Sequence, residues 1–140
     1  HGPEMIYTIF EAWSEDGYSW VQSSSKPKID YEYDGEVISA PWVEKMNDGS
    51  YLMWYSSRGS ATPSDKNYKP GLAYSIDGKS WKRCDADIGI EKSCSGWDAE
   101  MICYPAIFNH DDKPYMFYSG NAVGKGGIGY AVAERQLPIL

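Results

Sequence analysis

The chain has 140 residues, of which 42% are hydrophobic and 15% are aromatic. This length and composition are typical of one globular domain with a substantial core, and they exclude an intrinsically disordered segment. The formal net charge of −7 at pH 7 and the lack of any basic run argue against a nucleic-acid partner, because phosphates need clustered Lys and Arg.

An internal repeat of about 60 residues organises the chain, as three independent sequence matches show. The matched segments are SEDGYSW at 14–20 with SIDGKSW at 75–81, EVISAPWV at 36–43 with EMICYPAI at 100–107, and WYSSRG at 54–59 with FYSGNA at 117–122. Within each unit, apolar runs rich in Val, Ile, Tyr and Trp alternate with turn residues, and no 3.6-residue period persists. The repeat unit is therefore predicted to be a set of β-strands.

The predicted strands follow one another in chain order as parts of three β-propeller blades. Residues 5–23 are predicted to form the last two strands of one blade. Residues 36–83 are predicted to form a complete four-stranded blade, in which NDGS at 47–50 joins the first hairpin. Residues 98–134 are predicted to form three strands of another blade, in which HDDKP at 110–114 joins the first hairpin.

Together these strands predict an all-β fold, a partial β-propeller of about two and a half four-stranded antiparallel blades. The prediction treats residues 5–134 as a single domain. In the SxDGxSW motif, Asp-Gly is expected to form the turn into a short outer strand and the Trp to pack on the sheet below. Residues 1–4 (HGPE) are interpreted as a vector-derived remnant, which makes Met5 the native start.

Targeting and redox features predict a cytoplasmic protein. No run approaches the roughly 18 apolar residues of a membrane span, so no membrane partner is expected. The first 20 residues contain four acidic groups and lack the pattern of a signal peptide. The three cysteines have no CxxC spacing, so neither a disulfide framework nor a zinc site is predicted, and reduced cysteines fit the cytosol.

No metal site and no cofactor are predicted. With only His1 and His110, a histidine-based triad or a multi-histidine metal site is close to excluded. The glycine-rich GNAVGKGG at 120–127 lacks P-loop spacing. No acidic cluster has EF-hand spacing, although a cation near the acidic pairs described below stays open as an alternative.

Five segments carry a resemblance to a known family. IDYEYDGEVISAPWV, MWYSSRGS, GLAYSIDGKSWKR, GWDAEMICYPAIF and YMFYSGNAVGKGGIGYA resemble the C-terminal half of glycosidase-like five-bladed β-propellers, in a poorly characterised branch of the arabinanase, levansucrase and invertase superfamily. The resemblance spans residues 12 to 133. An Asp-box propeller of the sialidase type is the rival interpretation, but SxDGxSW is one residue shorter than that family's motif.

The resemblance implies an active site in the central funnel, where one carboxylate acts as general acid and another as base or nucleophile. In the characterised relatives, the acid is a Glu two residues before a Pro on an innermost strand. Ser39 and Cys103 hold those positions here, and neither can protonate a glycosidic oxygen at neutral pH. The chain is therefore not expected to be catalytically competent as a lone monomer.

Two acidic pairs are the candidate catalytic and binding groups. The repeat aligns Asp98 with Asp34 and Glu100 with Glu36, since both offsets equal 64 (98 − 34 and 100 − 36). Glycoside hydrolysis needs one carboxyl group with a raised pKa and one that is ionised, and crowded like charges separate pKa values in that way. We predict Asp98 and Glu100 as catalytic and Asp34 and Glu36 as substrate-binding. The alternative is that both pairs fill one structural slot of the repeat and accept hydrogen bonds from loop N–H groups.

The remaining predicted substrate-binding residues are Arg58, Asn121, Trp42, Trp97 and Tyr104. Arg58, which Asn121 matches in the next repeat, suits a hydrogen bond to a sugar, although bracing a carboxylate is an equal alternative. The three aromatic residues suit stacking on a sugar ring, although a core position is the commoner role for such residues.

These features predict a carbohydrate-active, glycosidase-like module that acts on or binds a glycan. The alternatives are a non-catalytic glycan-binding protein and a structural or assembly protein. Because an unclosed propeller exposes sheet edges and core, we also predict a homodimer. An excised piece of a longer enzyme is the competing explanation.

Overall fold

Nine antiparallel strands form three sheets in the computed structural model, which describes residues 5–60 and 66–134. The strands are β1 (Ala12–Trp13), β2 (Val21–Gln22), β3 (Val37–Lys45), β4 (Tyr51–Arg58), β5 (Lys69–Ser75), β6 (Lys82–Arg83), β7 (Cys103–His110), β8 (Lys113–Ser119) and β9 (Ile128–Val132). A 3₁₀ helix, Asp85–Asp87, follows β6. The predicted all-β class is confirmed. Among the described residues, no helix has the length and hydropathy to cross a membrane.

Each sheet pairs strands that are neighbours in the chain. Sheet one contains β1 and β2, sheet two contains β3 to β6, and sheet three contains β7 to β9, each in chain order. Hairpin connections of this kind leave the first strand of sheets two and three as an edge strand. Residues 1–4, interpreted from the sequence as a remnant, lie outside the described part of the molecule.

A β-bulge interrupts the first strand of sheets two and three at the same position of the repeat. The register of β3 on β4 shifts after Ser39, and that of β7 on β8 shifts after Cys103. Ala40 and Tyr104, which follow those residues, have φ of 51° and 57°. Both residues directly precede a proline, and a non-glycine residue in this left-handed region is strained. The bulge is therefore a specific feature that the repeat preserves.

The SxDG turns form as the sequence predicts. In the second copy, Asp77 Oδ1 accepts the backbone N–H groups of Lys79 and Ser80, both at 2.8 Å. Two exposed backbone hydrogen bonds hold the pKa of Asp77 at about 2. The predicted packing of the motif's tryptophan holds only for Trp81, which is half-buried against the core. The prediction is wrong for Trp20, which is 64% exposed, because the two short strands of sheet one offer it little surface.

Sheet two lies between two apolar clusters because alternate residues of a strand point to opposite faces. One face carries Met53 and Tyr55, which pack with Ile9, Ile29, Ile38 and Ala73. The other face carries Leu52, Trp54 and Leu72, which pack with Ile107 of sheet three. A third, small cluster contains Tyr68, Met101 and Cys103 and joins the start of β5 to the start of β7.

Candidate functional site at the starts of β3 and β7

The first acidic pair lies where β3 begins, and its two members differ sharply in burial. Asp34 is exposed, whereas Glu36 is fully buried. The Glu36 carboxylate accepts hydrogen bonds from Arg83 Nη1 (2.8 Å), Arg83 Nη2 (2.9 Å), Ser57 Oγ (2.6 Å) and the Glu32 backbone N–H (2.7 Å). Burial alone would raise the pKa of Glu36, but these hydrogen bonds outweigh it and lower the pKa. Glu36 is therefore ionised at neutral pH and unsuited to act as a general acid.

Arg83 connects Glu36 to a second carboxylate and to a buried tyrosine. Its guanidinium donates to Asp85 Oδ2 at 2.6 Å and lies 5.6 Å from the centroid of the Tyr55 ring. The Tyr55 hydroxyl donates to Asp85 Oδ1 at 2.5 Å. Burial opposes the charged guanidinium, but the hydrogen bonds with Glu36 and Asp85 outweigh it and raise the pKa of Arg83. This network fastens the outer strand β6 to the start of β3, with the Glu36 carboxylate as one of its acceptors.

The second acidic pair, just before β7, shows the reverse pattern of burial. Asp98 is only 5% exposed, whereas Glu100 is exposed. The Tyr118 hydroxyl donates to Asp98 Oδ2 at 3.1 Å. The Trp97 ring stacks on Tyr118 with centroids 5.3 Å apart and 17° between the planes. Within the described part of the molecule, the Glu100 side chain forms no hydrogen bond or ion pair, so it is the carboxylate of this pair that a ligand can reach.

Asn121 fixes the loop that carries the second pair. Its Oδ1 accepts the backbone N–H groups of Glu100 (2.8 Å) and Met101 (3.1 Å), and its Nδ2 donates to Gly96 O (2.9 Å). The Asn121 backbone N–H donates to Trp97 O at 2.7 Å. All of these partners belong to the loop from residue 96 to 101, so Asn121 positions the backbone of Glu100.

A cluster of three tyrosines and one arginine lies between the starts of β3 and β7. We call Tyr7, Arg58, Tyr68 and Tyr104 the tyrosine–arginine cluster. The hydroxyls of Tyr7 and Tyr68 share a hydrogen bond of 2.5 Å. The Arg58 guanidinium lies 5.3 Å from the Tyr68 ring centroid, and the rings of Tyr68 and Tyr104 are 5.6 Å apart. Tyr7 and Tyr104 are 39% and 37% exposed, so the cluster presents two aromatic side chains to solvent around a buried third.

The pKa values of the phenols in this cluster shift in opposite directions. Burial and the hydrogen bond with Tyr68 raise the pKa of Tyr7. Burial alone would raise the pKa of Tyr68, but its hydrogen bonds with Tyr7 and Arg58 outweigh burial and lower it. Burial also raises the pKa of Tyr104. The lowered pKa thus belongs to the buried phenol at the centre of the cluster, and the raised ones to the two partly exposed phenols.

The β-bulge of β7 aims Tyr104 into this cluster. Its backbone N–H donates to Ser56 Oγ of sheet two at 2.8 Å, which fixes the strained residue across the two sheets. The neighbouring Cys103 is fully buried, and burial raises the pKa of its thiol to about 11. Ser39 Oγ is also buried. The two positions where the resemblance implies a general acid therefore hold a neutral thiol and a hydroxyl.

A cleft of about 400 Å³ adjoins the cluster at the start of β3. Its lining residues are Ile6, Tyr31, Glu32, Tyr33, Asp34, Gly35 and Glu36. Ile6 precedes Tyr7 of the cluster, and Ser60 Oγ, two residues after Arg58, donates to Gly35 O at 2.7 Å. The cleft and the tyrosine–arginine cluster are thus linked through Ile6 and Ser60, and we call the two together the rim.

The structure brings some of the predicted site residues together and separates others. Arg58 and Tyr104 lie in the cluster, and Asp34 and Glu36 line the adjoining cleft. Trp42 lies towards the hairpin end of β3, where its Nε1 donates to Glu44 Oε1 at 2.8 Å. Trp97, Asp98 and Asn121 stabilise the loop before β7.

Sequence reasoning missed Tyr7, Tyr68 and Tyr31. Tyr7 and Tyr68 are 61 residues apart, and no motif of the repeat includes them. The only signal in the sequence was their position, since Tyr68 directly precedes β5 and Tyr31 belongs to the IDYEYDGE run.

A second, larger cavity of about 790 Å³ lies at the opposite, hairpin end of sheets two and three. Trp54, Leu52 and Ile107 form its apolar floor, and Asp48 and Asp112 are among its polar lining. In the described ranges, no group of three or more His, Cys, Asp or Glu side chains is placed to hold a metal ion.

Comparisons with known proteins relate the sequence to two uncharacterised bacterial relatives. No protein-family model matches it. It is 35% identical over 132 residues to uncharacterized proteins Rv1502 and MT1551 of two Mycobacterium tuberculosis strains, H37Rv and CDC 1551. The match covers 94% of this chain and 42% of each relative, so the chain spans less than half the length of the curated relatives it matches.

Two solved structures share the fold. A structure described as a complex of BT0996 with RGII matches with a TM-score of 0.69 and 27% identity, over 92% of this chain and 36% of the matched protein. A structure named "Glycoside hydrolase" matches with a TM-score of 0.68 and 26% identity, over 94% of this chain and 38% of the matched protein. The three sheets therefore resemble part of a glycoside hydrolase.

Proposed function

We propose that the three sheets are neighbouring blades of a glycosidase-like β-propeller and that the rim binds a glycan. The observation that carries this proposal is the tyrosine–arginine cluster together with the neighbouring cleft, which tyrosines and carboxylates line. The likeness to a glycoside hydrolase supports the fold. The solved complex of BT0996 with RGII makes RGII the first glycan to test.

The chemistry of the rim suits a sugar. Sugar rings present C–H groups that pack on aromatic faces, and Tyr7 and Tyr104 flank the buried Tyr68 with part of each side chain exposed. Sugar hydroxyls need acceptors, and the exposed carboxylate of Asp34 in the cleft supplies one. A surface that combines apolar faces with a few polar groups is typical of small-ligand sites.

The same geometry argues for glycan binding without hydrolysis by this chain alone. Hydrolysis needs a protonated carboxylic acid beside an ionised carboxylate. Glu36 is held ionised by Arg83, and Cys103 is a neutral thiol. The general acid would then have to come from another blade, because Ser39 and Cys103 hold the positions that the resemblance implies for it.

Calorimetry with a panel of oligosaccharides that includes fragments of RGII tests the proposal. We expect binding by the wild-type protein and a dissociation constant raised about tenfold by Tyr104→Ala, since about 1.4 kcal/mol corresponds to that factor. Tyr18→Ala is the matched control, because Tyr18 is 91% exposed on the first SxDG turn, away from the rim. Failure of every glycan to bind, or wild-type affinity in Tyr104→Ala, would overturn the proposal.

Catalysis is tested separately with the same glycans. We expect no product release by the isolated protein in chromatography of the incubated oligosaccharides. Release of product that disappears in Glu100→Gln would contradict binding alone and identify Glu100 as a catalytic residue. The cytoplasmic location expected from the sequence stays a prediction.

A further inference from the structure

Tyr104 brings its ring to the rim on a strained backbone. Its φ of 57° lies in the left-handed region, which a bulky residue rarely adopts. The β-bulge also leaves Tyr104 without a cross-strand partner on β8, because the register shifts between Cys103 and Ala106. Its backbone N–H therefore needs an acceptor from elsewhere. Since a strained conformation persists only where the surrounding structure holds it, the residue that supplies this acceptor helps to decide where the ring lies.

Ser56 of β4 supplies the acceptor across the junction of sheets two and three. Its Oγ accepts the Tyr104 N–H at 2.8 Å. Because alternate residues of a strand share a face, Ser56 lies on the same face of β4 as Trp54 and Arg58. Trp54 on that face packs against Ile107 of sheet three. Ser56 is fully buried, whereas Tyr104 is 37% exposed, so a glycan at the rim can touch the Tyr104 ring but not the Ser56 hydroxyl.

The internal repeat contains a second serine at the position of Ser56. Ser119 of β8 lies one repeat later (119 − 56 = 63). Ser56 pairs with Ser39, and Ser119 pairs with Cys103, the residues after which the register of β3 and of β7 shifts. In residues 5–60 and 66–134, the Ser119 hydroxyl forms no hydrogen bond. Ser119 is therefore a matched control for the loss of a hydroxyl at this position of the sheet.

We propose that Ser56 is a positioning residue of the glycan site, which holds the Tyr104 ring beside Tyr68 and thereby sets the affinity for a glycan that it does not contact. The two rings lie 5.6 Å apart in the structure. Without the Ser56 hydroxyl, the Tyr104 N–H loses its acceptor and the strained backbone is free to relax, which moves the ring. Binding then has to restore the position of the ring, and this ordering lowers the affinity. This role rests on the proposed function.

Calorimetry with the oligosaccharide that the wild-type protein binds most tightly tests the role of Ser56. We expect Ser56→Ala to raise the dissociation constant about fivefold, which corresponds to about 1 kcal/mol, and Ser119→Ala to leave it unchanged. In the Tyr104→Ala background, Ser56→Ala should raise the dissociation constant no further, because the ring through which Ser56 acts is absent. A merely structural contribution of Ser56 to the site would lower the affinity equally in both backgrounds.

Hydrogen exchange of the Tyr104 amide, followed by nuclear magnetic resonance, tests the contact without a glycan. We expect this amide to exchange about fivefold faster in Ser56→Ala and at the wild-type rate in Ser119→Ala. Circular dichroism confirms that both variants are folded. Unchanged exchange, wild-type affinity in Ser56→Ala, or an equal loss of affinity with and without the Tyr104 ring would overturn the role of Ser56 alone. Failure of the wild-type protein to bind any glycan would instead overturn the proposed function and this role together.

Discussion

Sheets two and three each bury a tyrosine of their second strand in the same position, but they take its partners from different parts of the chain. In sheet two, Tyr55 lies beneath the guanidinium of Arg83 and donates its hydroxyl to Asp85. Both partners come from β6 and the turn that follows it. The outer strand thus supplies the stacking group and the carboxylate.

In sheet three, the loop before β7 supplies both. Tyr118 lies against Trp97 and donates its hydroxyl to Asp98. Among the described residues, sheet three ends at β9 and has no fourth strand. Asp98 therefore accepts the tyrosine hydroxyl in sheet three as Asp85 does in sheet two. Its sequence counterpart in the first acidic pair, Asp34, is exposed instead. A repeated motif can thus keep its sequence pattern while the residues at its positions exchange structural roles.

The largest effect expected from this comparison is at Arg83. Arg83→Met leaves the Glu36 carboxylate buried without its partner, which should lower the free energy of unfolding by about 3–5 kcal/mol. Asp98→Asn only weakens one hydrogen bond and should cost about 1 kcal/mol. Urea denaturation of both variants measures the difference. The double variant Glu36→Gln with Arg83→Met should recover most of the lost free energy of unfolding, because it leaves no buried unpaired charge. Equal losses for Arg83→Met and Asp98→Asn would refute the comparison.

A smaller effect is expected at the glycine beneath the Trp97 ring. A Cβ on Gly129 would lie 2.5 Å from that ring, so Gly129→Ala should cost about 1–3 kcal/mol by overpacking. The clash involves only the indole, so Gly129→Ala should be nearly neutral when Trp97→Ala is already present. A thermal-denaturation double-mutant cycle measures this coupling. Simple additivity of the two substitutions would show that Trp97 does not occupy this space.

The smallest effect concerns the two SxDG turns at low pH. Backbone hydrogen bonds lower the pKa of Asp16 and Asp77 from 3.8 to about 2. A lowered pKa in the folded state means that the stabilisation is present above pH 3.8 and is lost as the pH falls through about 2. Asp77→Asn should therefore flatten the decline of the melting temperature between those values. Asp16→Asn should flatten this decline less, because sheet one contributes little to the core. A larger effect of Asp16→Asn than of Asp77→Asn would contradict the prediction.

The positions of the strands and turns could be predicted from the sequence because they depend on neighbours in the chain. The continuous apolar run at the start of Tyr51–Arg58 and the Asp-Gly turn at Asp77 act over a few residues, and the structure has both. Arg58 and Tyr104 are both among the predicted substrate-binding residues, and the structure places them in one cluster. The strands and turns are local or follow from the regular spacing of the repeat.

Only the tertiary structure decided which carboxylate is buried and which residues form the rim. Glu36 and Arg83 are 47 residues apart, and Tyr7 and Tyr68 are 61 apart, so no local pattern encodes their contact. Both repeats contain Asp-x-Glu, but the glutamate is buried in the first repeat and the aspartate in the second. The reason is physical: an ionised carboxylate is buried only where distant donors meet it, and the packing of the sheets determines where those donors lie.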